Sequence, residues 1–154
     1  MNLKDLSIEQ LAGQRVMVGF EGKRLNADLK FLIRDLKVGG VILFSQNIEN
    51  PDQVKKLCEA IQEYARANNQ PPLIIAIDQE GGQVARLKEP FSEFPGNPAM
   101  KDVRDAIFFA ETTASELTLA GINMNLAPVM DVAPRDMPSI MSERAFGHDP
   151  EWVS

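Results

Sequence analysis

A chain of 154 residues with 44% hydrophobic and 25% charged residues has a globular composition and enough length for one ordinary domain with its own core. Sixteen Lys and Arg against twenty-two Asp and Glu leave a net charge of -6, and no block of basic residues occurs, which argues against nucleic acid as a partner because phosphate neutralisation needs clustered cations. The single cysteine, Cys58, forbids an intrachain disulfide; no apolar run reaches the roughly 18 residues that span a bilayer, and the start MNLKDLSIEQLAG has no signal-peptide core, so a cytoplasmic protein without a membrane partner is expected.

Strands and helices alternate along the chain. Ser7 and Gln10 have the spacing of a capping box on a short first helix. Residues 15–20, RVMVGF, read as a strand. Residues 27–38 read as a helix with Leu29, Leu32, Ile33 and Leu36 on one face and Gly39 at its end. Residues 40–44, GVILF, form a second strand. Pro51 opens a helix that carries Val54, Leu57, Cys58 and Ile61 inward and dissolves near Asn68 and Asn69. LIIAID, 73–78, is the third strand. Residues 102–120 read as a long helix with Val103, Ile107, Ala110, Ala114 and Leu117 inward, and Gly121 as its stop. INMNLAP, 122–128, is the fourth strand.

These strands are short, continuous apolar runs, the pattern of a parallel sheet covered by helices. Four βα units in a row leave two architectures open, a doubly wound sheet or a (β/α)8 barrel. Near the end, Asp149 is a good N-cap, Pro150 suits the first helical position and Glu151 the first turn, and the chain stops at Ser154. A barrel takes about 250 residues. The expectation is therefore an α/β fold in which residues 1–154 are the first half of a (β/α)8 barrel, about four βα units.

Ligand sites in such folds lie at the carboxyl ends of the strands, and Asp78 in IDQEGGQVARL sits at one. Gly81 and Gly82 permit turns that other residues resist, and Arg86 is the nearest cation. A solvated structural turn remains open here. So does a metal pair at Asp78 and Glu80, disfavoured by the lack of a nearby histidine or third acidic ligand. The long polar stretch 125–150 offers Asp131 and Arg144, which could pair with each other. Cys58, on an apolar helix face, reads as core; His148 and Trp152 read as structural. Phe44–Asn47 reads as a polar loop that could line the same site.

Taken in order, GVILFSQNI, IAIDQEGGQVARL, FPGNPAM, NLAPVMDV and SERAFGHDP resemble glycoside hydrolase family 3, and within it the bacterial β-N-acetylglucosaminidase branch. The resemblance spans residues 8–154. It implies a (β/α)8 catalytic domain that removes a terminal β-linked sugar, GlcNAc on glycans such as peptidoglycan fragments, with retention, and no metal or other cofactor. It places Asp78 and Arg86 on the terminal sugar, Arg144 at another sugar-binding position and Asp131 in support of the site. The family's KHFPGHG-type motif, its later nucleophilic Asp and its Asp-His acid/base loop have no match in this sequence. No catalytic residue is therefore assigned, and the nucleophile and acid/base are expected beyond residue 154. Gln83 stands where the family often has Arg, and Glu143 where it often has Asp. Two other functions stay open: a non-catalytic carbohydrate-binding or interaction half-barrel that hides its sheet edges by dimerising, and a β-glucosidase of the same family.

Overall fold

The computed structural model of the chain describes residues 3–136 and 139–154. Helix α1 (Ile8–Gly13) begins at the predicted capping box: Gln10 N–H donates to Ser7 Oγ, and Ser7 N–H donates to Gln10 Oε1. Strand β1 (Met17–Val18), helix α2 (Ala27–Arg34), strand β2 (Gly40–Leu43), helix α3 (Pro51–Ala67) and strand β3 (Ile74–Ile77) follow in alternation. Next come strands β4 (Gln79–Gly81) and β5 (Val84–Ala85), helix α4 (Val103–Leu119), strand β6 (Met124–Asn125) and helix α5 (Pro150–Val153). No helix among the described residues is long and apolar enough to cross a membrane.

β1 pairs in parallel with β2, Met17 opposite Gly40, and β2 in parallel with β3, Leu43 opposite Ile77. The sheet order is β1-β2-β3-β6, so strands add in chain order with no reversal. A doubly wound sheet requires a point at which that order reverses. Of the two architectures the sequence leaves open, the observed order is that of the (β/α)8 barrel.

The residues up to Ile77, with Leu117–Met124, form one compact unit. Leu29 and Ile33 of α2, Val41 and Leu43 of β2, Val54, Leu57, Cys58 and Ile61 of α3, and Ile75 and Ile77 of β3 are all 2% exposed or less. Each large apolar side chain buried in this way contributes about 1.5–3 kcal/mol. Burial also pushes the Cys58 thiol up to about 12, which makes it a core side chain and not a nucleophile. α2 is shorter than its apolar spacing predicts. It ends at Arg34, Lys37 takes a left-handed φ of 56°, and Leu36 is left 50% exposed. Gly39 does not stop this helix; a Cβ there would lie 2.3 Å from the Gln14 carbonyl oxygen, so the close passage of two backbones requires the glycine. Asn47 is fully buried, accepts from Phe44 N–H and donates to the Phe20 and Gly22 carbonyls, which makes it a loop anchor and not a ligand-facing group.

Asp78–Glu116 and Asn125–Ser154 form the second unit. β4 and β5 make a small antiparallel hairpin, Gln79 opposite Ala85. Of the α4 residues predicted to face inward, Leu117 does and Val103, Ile107, Ala110 and Ala114 do not. Phe109, Thr113 and Leu117 are buried, while Val103 is 67% and Ile107 50% exposed, and Ala110 and Ala114 are exposed too. The helix carries two apolar stripes, and the bulkier one is selected where the Phe109 ring meets Phe94 edge-on at 5.1 Å. Val129, Ala133 and Ala145 form a small apolar cluster with Met141 against it. α5 starts as predicted, with Asp149 accepting from Glu151 N–H and Pro150 in the first turn.

Candidate functional site

The three residues that follow β3 each hold something different. Asp78 Oδ2 accepts from Arg86 Nη2 at 2.9 Å, and the two side chains keep 20% and 27% of their surface exposed. Gln79 is buried. Its Oε1 accepts from the backbone N–H of Arg86 at 2.8 Å and of Leu87 at 2.9 Å, and its Nε2 donates to the Leu87 carbonyl at 3.0 Å. Asn125 in turn holds the Gln79 backbone, accepting from its N–H and donating to its carbonyl, both at 3.0 Å. Glu80 is 3% exposed and receives Arg144 through a two-pronged ion pair, Nε to Oε2 at 2.9 Å and Nη2 to Oε1 at 2.5 Å.

The Gly-Gly turn makes the Asp78–Arg86 pair possible. Gly81 and Gly82 sit at φ of 85° and 59°, where other residues are strained, and reverse the chain so that β5 brings Arg86 back beside Asp78. The Gly82 N–H donates to the Phe94 carbonyl at 2.7 Å, and a Cβ on Gly82 would lie 2.8 Å from the Pro95 oxygen. FPGNPAM is thus the backing of the turn. The same stretch reaches Arg144: Asn97, 1% exposed, donates from Nδ2 to the Arg144 carbonyl at 3.0 Å.

Arg144 does not take Asp131 as its partner, although their nearness in the long loop allows that pairing. Its fork lies on Glu80, 64 residues earlier, and Asp131 stays exposed. Glu80 is buried and costly to leave unpaired, and the two-pronged geometry satisfies both its oxygens, whereas exposed Asp131 is solvated by water without a partner. Glu80 holds the Arg144 guanidinium above its ordinary range, burial opposes this, and Asp78 and Asp131 add weaker pulls in the same direction as Glu80. Gln83 and Glu143, the two positions that depart from the resembled pattern, are brought together, the Gln83 amide donating to the Glu143 carboxylate.

Chemically, the exposed part of this arrangement is one carboxylate, Asp78, and two guanidinium groups, Arg86 and Arg144. A carboxylate accepts from hydroxyls and has about four lone-pair sites to do so; a guanidinium donates through a rigid fork. Such a set offers both acceptors and donors to hydroxyl groups. Glu80 is unsuited to attack, since both its oxygens face Arg144 and its side chain is 4% exposed. A divalent ion between Asp78 and Glu80 would have to displace two cations that already occupy those carboxylates, so the donor set does not fit the metal pair. His148 and Trp152 are exposed. The sequence reading missed Gln79, Asn97 and Asn125. The signal available was a set of amides inside the quoted motifs, but an amide in a loop carries no mark of its partner.

A family profile described as the Glycosyl hydrolase family 3 N terminal domain matches residues 4–154. A beta-hexosaminidase of Alkalilimnicola ehrlichii is 37% identical over 147 residues, which cover 90% of this chain and 41% of that protein. Among solved structures, the glycoside hydrolase family 3 beta-N-acetylglucosaminidase from Paenibacillus sp. str. FPU-7 superposes with a TM-score of 0.92 at 39% identity, over 96% of this chain and 29% of that one. The Beta-N-acetylhexosaminidase from Beutenbergia cavernae gives 0.84 at 35% identity, over 97% of this chain and 47% of that one. The chain thus spans less than half the length of the relatives it matches. With the sequential parallel sheet and the Asp78–Arg86 turn that follows its third strand, the match over nearly every residue places this chain in glycosyl hydrolase family 3, as its N-terminal domain sequence.

Proposed function

We propose that this chain supplies the sugar-gripping part of a retaining β-N-acetylhexosaminidase that removes terminal β-linked GlcNAc from glycans such as peptidoglycan fragments in the cytoplasm. The observation that carries the reading is the Asp78–Arg86 pair on the Gly-Gly turn: an acceptor and a donor, both partly exposed, held where a βα fold presents its ligands. Asp78 accepts from hydroxyls of the terminal sugar, Arg86 and Arg144 donate to its oxygens, and Asp131 supports the site from the long loop. The names of the relatives, beta-hexosaminidase and beta-N-acetylglucosaminidase, support GlcNAc as the sugar.

A retaining glycosidase needs a nucleophilic carboxylate and a separate acid/base group about 5–5.5 Å apart. Here Asp78 and Glu80 each hold an arginine, and we assign both chemical roles to sequence outside these 154 residues, in the remainder of a (β/α)8 barrel of which this is the first half. Contacts such as those of Asp78 and Arg86 orient the ring and provide binding energy that the reaction can draw on in its transition state.

The test is an NMR titration of the chain with GlcNAc and with glucose. GlcNAc is expected to shift the resonances of the 78–86 turn more strongly than glucose, and Asp78→Ala to remove the response. Equal or stronger response to glucose would turn the reading to a β-glucosidase. An assay with an aryl β-GlcNAc is expected to show no turnover by the chain itself. Hydrolysis that survives purification and is lost on Asp78→Ala would place the chemistry within this chain and overturn that assignment.

A further inference from the structure

Glu80 lies inside the site yet has no surface to offer a ligand. It is 3% exposed, and its two oxygens take the Nε and Nη2 of Arg144 at 2.9 and 2.5 Å. A guanidinium has five N–H donors arranged along its edges. Glu80 occupies the side edge formed by Nε and Nη2. The end-on edge, formed by Nη1 and Nη2, meets no oxygen acceptor among the described residues; only the Met141 sulfur, a weak acceptor, lies 3.5 Å from Nη1. The other end of the residue is also held from a buried position, since Asn97 Nδ2 donates to the Arg144 carbonyl at 3.0 Å. Both ends of Arg144 are therefore fixed by groups that water does not reach, while its side chain stays 23% exposed.

We propose that Glu80 is a positioning residue: by taking the side edge of Arg144 it turns the end-on edge outward, as a pair of parallel donors for two neighbouring oxygens of the ligand. On the sugar-binding reading above, on which this rests, those oxygens belong to vicinal hydroxyls of the ring. Two N–H groups held in parallel match a vicinal diol without rotating into place, so the ordering of a long flexible side chain is completed before the ligand arrives. A lone Arg144 on the loop would sample many rotamers and would lose that freedom on binding. The proposal assigns Glu80 no contact with the sugar and no proton transfer.

The experiment follows Arg144 itself. In the 154-residue chain, the Arg144 Nε–H is expected to give a side-chain NMR signal protected from solvent exchange. Glu80→Gln keeps the shape but sets an amide N–H against a guanidinium N–H, so the signal is expected to lose protection at least about tenfold while the Arg86 Nε–H is unchanged. GlcNAc affinity is expected to fall about tenfold in Glu80→Gln, and the Glu80→Gln, Arg144→Ala double variant to bind no worse than Arg144→Ala. A protected Arg144 signal in Glu80→Gln, or an affinity loss that adds to that of Arg144→Ala, overturns the proposal. Should Glu80→Gln fail to fold, Arg144→Lys decides. Lysine keeps the charge next to Glu80 and lacks the fork, so affinity should drop about tenfold with the backbone spectrum retained, and undiminished affinity sinks the idea. Release of Arg144 in Glu80→Gln with no GlcNAc binding by the unmodified chain refutes the sugar reading and leaves the positioning role supported.

Discussion

The unit up to Ile77 buries Leu29, Ile33, Leu43, Ile61, Leu73, Ile75 and Ile77 to within 1% of full burial, whereas the unit that starts at Asp78 buries Gln79, Glu80, Asn97 and Thr113 beside a thinner apolar set. The first is held mainly by non-directional apolar burial and close packing. The second is held by bonds that have directions. Gln79 fixes where Arg86 leaves the backbone, and Glu80 fixes where the Arg144 fork points. A group that must meet a hydroxyl within a few tenths of an ångström needs that second kind of support. The contrast is one of weight, since the apolar unit also buries Asn47 on three side-chain hydrogen bonds and takes in Leu117–Met124.

Four experiments can break or sharpen the contrast. Ile61→Ala, in the apolar unit, should lower stability by about 3 kcal/mol, read as a lower urea midpoint at unchanged slope; a loss below about 1 kcal/mol would deny that apolar burial holds this unit. In the polar unit, Gln79→Leu should cost about 2 kcal/mol even though leucine is the more apolar residue, because the Arg86 and Leu87 N–H groups lose their acceptor in a buried place. A neutral or stabilising leucine would erase the difference between the units.

Alkali probes the apolar unit through Cys58. Its folded-state value, about 12, lies above the ordinary 9.0, so the stability tied to its protonated thiol is complete below pH 9 and is lost as pH rises toward 12. On the order of 1 kcal/mol should be gone by pH 10, Cys58→Ala should flatten that slope, and a thiol reagent at pH 8 should leave the native chain unmodified. The smallest effect is expected at the periphery: Ser7→Ala removes one half of the capping box on α1 and should cost about 0.5 kcal/mol by thermal melting. A loss as large as that of Ile61→Ala would mean that α1 is part of the core and not a local cap.

Features that depend on near neighbours in the chain were legible. The Ser7 capping box, the α3 stripe of Val54, Leu57, Cys58 and Ile61 and the Asp149 cap came out as their spacing predicts, and Arg86, the nearest cation to Asp78 in the sequence, is the one that pairs with it. Most of the inward face of α4 did not: Leu117 is buried as its spacing predicts, but Val103, Ile107, Ala110 and Ala114 are exposed, and the buried side instead carries Phe109, whose ring meets Phe94 edge-on. The partner of Arg144 was equally hidden. Asp131 is nearer in sequence, and nothing in a row of letters says that Glu80 is the carboxylate kept dry.

What the sequence by itself determined is where helices begin, where the chain reverses and which residue types stand at the carboxyl end of β3, because caps and turns are hydrogen bonds and torsional preferences among residues three or four apart. What only the tertiary structure decided is which carboxylate holds which arginine, and therefore which of these groups stay exposed. That choice is set by burial, which makes an unpaired Glu80 carboxylate far costlier than an unpaired Asp131 and is a property of the assembled fold and not of any residue.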